Sequence, residues 1–133
     1  MLNVMIVDDS LIMRKKLKQF LKELGHNIVI EAKTGAEAIE FYEKYMPDLV
    51  TMDITMPDMD GITAVKQIKQ NYPDTKIIMA TSHGQEKMVR EALISGAKGY
   101  ILKPISKDKL KNSIHRIFYK VEDLIDDEDL LDD

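Results

Sequence analysis

The segment VTMDITMPDMDG (residues 50–61) carries an apolar run to a carboxylate, Asp53, and then sets Pro57, Asp58, Asp60 and Gly61 into the stretch that follows. A run that is apolar or β-branched at nearly every position and is closed by turn residues reads as a strand buried on both faces, followed by a loop. From Ile62 to Gln70 the spacing becomes helical. A buried strand that delivers a carboxylate at its last position needs a chemical reason.

The same alternation recurs on either side. NVMIVD precedes a helical pattern over residues 10–24, NIVIEA one over 35–45, KIIMA one over 85–95, and GYILK one starting at Lys107. Strand and helix thus alternate five times, a (βα)5 chain. In the first helix Met13, Leu17, Phe20 and Leu24 form the expected buried stripe, while Arg14, Lys15, Lys18 and Lys22 face elsewhere. In the last, Leu110, Ile114, Ile117, Val121 and Leu124 repeat it, so that helix is expected to run on to Leu124 or Ile125. Gly25, Gly96 and Gly99 fall just past helical runs, where left-handed caps are common, and Pro47 and Pro73 stop the second and third helices. Near-continuous apolar strands imply a parallel sheet with helices on both faces, and right-handed crossovers put every strand's C-terminal end along one edge. The expected architecture is a doubly wound, flavodoxin-like α/β fold of strand order 2-1-3-4-5, with its ligand crevice beside strands 1 and 3.

At 133 residues the chain holds one ordinary core and has no room for a separate DNA-binding domain. It has no cysteine, so neither a disulfide framework nor a thiolate metal site is available. No apolar run approaches the roughly 18 residues that span a bilayer, and no signal segment follows Met1. A cytoplasmic monomer is expected, without membrane or nucleic-acid partners. The net charge of −4 hides an asymmetry: all 19 Lys and Arg lie at or before Lys120, while eight acids crowd residues 122–133. Without those eight, the body carries +4. Two parts are therefore expected: residues 1–121 as the folded domain, and 122–133 as an acidic tail that extends the last helix and then becomes disordered.

The topology brings particular side chains to one edge. Strand 1 ends in Asp8 and Asp9, strand 3 in Asp53, strand 4 in Thr81 and Ser82, and strand 5 in Lys103 before Pro104. Acids at strand ends are often mere turn formers, and a strand-end Thr or Lys is usually solvated surface; it is the joint placement that points to function. Carboxylates about 4 Å apart repel by up to roughly 4 kcal/mol each at an effective dielectric near 20, so something positive must bind. An all-oxygen set suits a hard cation, Mg2+ before Ca2+. Asp53 can then act as a nucleophile toward a phosphoryl group, with Lys103 neutralising its oxygens and Thr81 donating a hydrogen bond.

These residues carry a resemblance. IVDDS followed by IMR, PDLVTMDITMPDMDG, KIIMATS followed by GQ, and GAKGYILKP resemble, in order and spacing over roughly residues 2–120, the response-regulator receiver domains, most closely those of chemotaxis. The resemblance implies that Asp53 is phosphorylated from a phosphohistidine of a histidine kinase. It implies that Asp9 and Asp53 bind Mg2+ directly, Asp8 through water, and Thr55 through its backbone carbonyl. Lys103 and Thr81, with Ser82 beside them, would contact the phosphoryl group, Thr81 and Tyr100 would form a coupled switch pair, and the Lys103–Pro104 bond would be cis. A target protein such as a flagellar motor switch component, and a phosphatase, would be partners. Ser82 replaces the family's usual Ala, and Ile105 a frequent Phe. Thr55 and His83 offer neither acid nor amide to orient an attacking water, which implies a slowly hydrolysed phosphate.

The chain thus reads as a signalling phosphoacceptor rather than an enzyme. Within that class, a phosphorelay intermediate or an orphan receiver is the alternative to a chemotaxis regulator. An aspartyl-nucleophile phosphohydrolase is more remote, because it needs an Asp where Thr55 stands. A flavodoxin-like electron carrier would offer hydroxyls and Gly to its phosphate, not Asp8 and Asp9.

Overall fold

A computed structural model of the chain describes residues 1–119. The elements run β1 (Asn3–Val7), α1 (Leu11–Glu23), β2 (Asn27–Ala32), α2 (Gly35–Tyr45), β3 (Leu49–Asp53), α3 (Gly61–Asn71), β4 (Ile77–Thr81), α4 (Glu86–Ile94), β5 (Gly99–Leu102) and α5 (Lys107–Phe118). The five strands form one parallel sheet in the order β2-β1-β3-β4-β5, the order expected from the sequence.

Because side chains alternate across a strand, each central strand feeds two cores. Met5, Val7, Val50, Met52, Ile77 and Met79 pack on one face beneath Ala38 and Tyr42 of α2, Val65 and Ile68 of α3, and Val89 and Ala92 of α4. Val4, Ile6, Leu49, Ile78, Ala80 and Ile101 pack on the other, beneath Leu17 and Leu21 of α1 and Leu110 and Ile114 of α5. β3 and β4 are buried along their whole length, as their near-continuous apolar and β-branched character requires. Each fully buried Ile, Leu or Met contributes about 1.5–3 kcal/mol, so these central strands are the rigid base from which the edge groups project.

Four helices start on side-chain caps: Ser10 accepts from the Met13 N–H, Thr34 from Glu37, Asp60 from Thr63 and Ser106 from Lys109. Such a cap stabilises a helix by about 1 kcal/mol. α4 differs, because its N-cap residue, Gln85, makes no side-chain cap bond.

Two expectations change. The buried stripe of α1 centres on Leu17 and Leu21, with Met13, Phe20 and Leu24 at its margins, and Arg14 is buried rather than facing solvent. Gly25 and Gly96 do take left-handed backbone after their helices, but Gly99 opens β5, where its close neighbour is the Ser113 hydroxyl. α5 is described from Lys107 to Phe118, with Tyr119 in extended backbone. The expected continuation to Leu124 or Ile125 and the acidic tail 122–133 lie outside the described residues. Among the described residues no helix is long and apolar enough to cross a membrane.

Candidate functional site

The register of the sheet aligns the strand ends. Val7 pairs with Met52, Asp53 with Ala80, and Thr81 with Leu102, so Asp8, Asp53, Thr81 and Lys103 leave neighbouring strands at one edge. Oxygens of Asp8, Asp9 and Asp53 all lie within 4.8 Å of one another. Asp8 and Asp53 are buried, at 1% and 6% exposure, whereas Asp9 is open to solvent. Lys103 Nζ donates to Asp53 Oδ1 at 3.2 Å and stands 3.8 Å from Asp8 Oδ2. The Lys103–Pro104 peptide is cis, as expected.

One ammonium faces three carboxylates, and the electrostatics show the deficit. Burial raises the Asp53 carboxyl above its ordinary range and the Asp8 charge adds to the rise, against which Lys103 and a backbone hydrogen bond from Thr55 pull it down. Burial likewise raises Asp8, opposed first by the Ser10 N–H and then by Lys103. Asp8 Oδ1 accepts the Ser10 N–H at 2.8 Å, but its Oδ2 is buried without any hydrogen-bond partner. An orphaned buried carboxylate oxygen beside two further carboxylates is the donor set that a hard divalent cation satisfies.

The loop after Asp53 is tied down at three points. The Gly61 N–H returns to the Ile54 carbonyl at 2.6 Å, and a Cβ on Gly61 would run into the Asp53 carbonyl, so only glycine allows this approach. Asp58 accepts the N–H groups of Gly35 and Ala36 at 3.0 and 2.9 Å, seating the loop on the start of α2. These two amides hold its carboxyl below the usual carboxylate range. At the β1 end, Arg14 donates through Nη1 to the Asp8 carbonyl at 2.8 Å and through Nε to Glu31 at 3.2 Å.

Thr81 and Tyr100 line one groove of about 370 Å³ between α4 and β5, with Val89, Leu93 and Leu102 along it. Tyr100 is 53% exposed, so its ring lies at the surface rather than capping the core. The Thr81 hydroxyl donates to Gln85 Oε1 at 3.0 Å. Ser82, Thr55 and His83 are exposed, and the Thr55 hydroxyl accepts from Gln85 Nε2 at 2.8 Å. The structure therefore gathers the acids, Thr81 and Lys103 at one edge, with Tyr100 one groove away.

Arg14, Asp58 and Gln85 escaped the sequence reading. Arg14 sits in a basic run whose members look alike, and Asp58 looks like any turn acid. Gln85 stands within a recognised motif but has no partner at helical or strand spacing.

Comparison with known proteins finds relatives over most of the chain. The profile of the response regulator receiver domain matches residues 4–115. Chemotaxis protein CheY of Bacillus subtilis is 48% identical over 113 residues, covering 85% of this chain and 94% of that protein. Chemotaxis protein CheY of Thermotoga maritima is 43% identical over 114 residues, covering 86% and 95%. Among solved structures, a chain of the CheX-CheY-BeF3-Mg+2 complex from Borrelia burgdorferi superposes with a TM-score of 0.85 at 40% identity, covering 89% of this chain and 90% of that one. A receiver-domain match over residues 4–115 and relatives more than 40% identical over most of their lengths, together with the parallel 2-1-3-4-5 sheet and its acid-lined edge, place this chain in the response-regulator receiver domain family.

Proposed function

We propose that the chain is the phosphoacceptor of a two-component system in chemotaxis, taking a phosphoryl group onto Asp53 from a histidine kinase and thereby switching a surface that binds a target such as a flagellar motor switch component. Membership of the receiver family supports the two-component role, and the CheY relatives support chemotaxis over a phosphorelay or orphan role. The observation that carries the chemistry is Asp53 itself: a nearly buried carboxylate at a strand end, 3.2 Å from Lys103 Nζ and within 4.8 Å of two further acids.

The residues divide the work. An Asp53 oxygen bonds to phosphorus as the bond from phosphorus to the imidazole nitrogen breaks. The electron pair stays on that nitrogen, which takes a proton from water. Lys103 balances the charge on the equatorial oxygens, and Thr81 with the Ser82 N–H donates to them. Asp8, Asp9, Asp53 and the Thr55 carbonyl are the groups that would hold Mg2+, which supplies positive charge to neutralise the phosphoryl oxygens when bound. Return to the resting state is attack of water on phosphorus, releasing inorganic phosphate and the free carboxylate. That exchange makes the chain a signalling switch whose own turnover serves only to reset it. Residues 1–121 form the receiver unit in this reading, and 122–133 an acidic appendage.

Signal passes outward when the Thr81 hydroxyl moves toward the phosphoryl group and vacates space near the groove, which the Tyr100 ring then enters. Intact-mass measurement after incubation with acetyl phosphate and Mg2+ tests the acceptor. One added phosphoryl group is expected on the wild type and none on Asp53→Asn; equal labelling of the two overturns the assignment.

A further inference from the structure

The side chain of Gln85 ties the end of β4 to the loop after Asp53. Its Oε1 accepts the Ser82 N–H at 2.7 Å and the Thr81 hydroxyl at 3.0 Å, while its Nε2 donates to the Thr55 hydroxyl at 2.8 Å. The orientation of the amide is settled by the Ser82 N–H, since a flipped amide would set donor against donor. Every other N-cap side chain in the fold accepts from its own helix, whereas Gln85 reaches back across the β4–α4 turn and over to the loop after β3.

We propose that Gln85 is a positioning residue that latches the unphosphorylated state by holding the two donors that a phosphoryl oxygen on Asp53 would claim. The inference rests on Asp53 being the phosphoacceptor. An amide oxygen and a phosphoryl oxygen are both acceptors, and a hydroxyl has one proton to give. Thr81 therefore cannot donate to both. Uptake of the phosphoryl group must break the Gln85 contacts to Thr81 and Ser82, and that releases the N-cap residue of α4, a helix whose Glu86, Val89 and Leu93 line the groove containing Tyr100. The latch thus sets how far the resting site resists phosphorylation. It also joins the loop of the acceptor to the start of α4.

Competition of this kind has a signed consequence. Beryllofluoride, a non-hydrolysable mimic of the phosphoryl group, is titrated into the full chain at fixed Mg2+, and its apparent dissociation constant is read by 19F NMR. With about one ordinary hydrogen bond's worth of competition removed, Gln85→Ala is expected to bind about tenfold more tightly than wild type. Gln85→Glu keeps the acceptor, strengthens it with charge and loses the N–H to Thr55, so it is expected to bind about tenfold more weakly. Combining Gln85→Ala with Thr81→Ala should shrink the gain, because one of the two contested donors is already gone. Loosened structure alone would weaken binding in both Gln85 variants, so shifts of opposite sign identify the latch. Binding by Gln85→Ala equal to or weaker than wild type overturns it while leaving the acceptor reading intact. A wild type that binds beryllofluoride no better than Asp53→Asn overturns the acceptor and the latch together.

Discussion

Replacing Asp8 with Asn should stabilise the protein in the absence of divalent metal and cost it most of its response to Mg2+. Asp8 and Asp53 carboxylate oxygens lie within 4.8 Å, a repulsion of at least about 3 kcal/mol at an effective dielectric of about 20. Lys103, 3.8 Å from Asp8 Oδ2, returns about 4 kcal/mol on the same basis. The pair terms nearly cancel, which leaves the buried, unpartnered Oδ2 uncompensated, at about 1–3 kcal/mol. Asn keeps the oxygen that accepts the Ser10 N–H at 2.8 Å and turns an N–H toward Asp53. The expected gain is that same 1–3 kcal/mol, or about 3–9 °C in Tm for a chain of this length. Because burial raises the Asp8 carboxyl above its ordinary value of 3.8, the folded state binds its proton more tightly than the unfolded chain. Stability from Asp8 is therefore fully present below 3.8 and is lost as pH rises through the raised value. The Asn variant's advantage is complete at neutral pH and fades in acid. Thermal melts in chelated buffer at neutral pH, repeated with Mg2+, measure both effects. At ten times its dissociation constant Mg2+ should stabilise the wild type by about 1.4 kcal/mol, and Asp8→Asn by much less. Asp9, being exposed, serves as the contrast: Asp9→Asn should lose the Mg2+ increment with little change in the metal-free melt. An Asp8→Asn variant that melts no higher than wild type without metal would refute the reasoning.

Arg14→Ala should cost about 2–3 kcal/mol, because it strips a buried donor from the Asp8 carbonyl and leaves Glu31 with Lys18 alone, at 3.6 Å; a Tm unchanged within about 1 °C would show that Arg14 does not hold the β1 end. Thr81→Ala should still take up one phosphoryl group at Asp53 but lose most of the phosphorylation-dependent gain in target affinity, measured by titration with the proposed motor switch target. A gain equal to that of wild type would sever Thr81 from the switch.

Fold and site were legible in the sequence to different depths, for physical reasons. Strand and helix periodicities are local properties, so the five βα units and the sheet order could be read from residue spacing, twist and crossover handedness. The strand-end acids, Thr81 and Lys103 were legible because a parallel sheet sends every C-terminal strand end to the same edge. Burial of Arg14 was not, since a guanidinium in a basic run looks solvated until a carbonyl from β1 and a carboxylate from β2 arrive to satisfy it. Gln85 was not, because its partners come from two loops thirty and four residues away and meet it only when β3 and β4 pair. The sequence by itself determined which groups reach the edge; tertiary packing decided which of them are desolvated, which are left without partners, and which neighbour holds each hydroxyl, because those depend on distances between segments that no local pattern encodes.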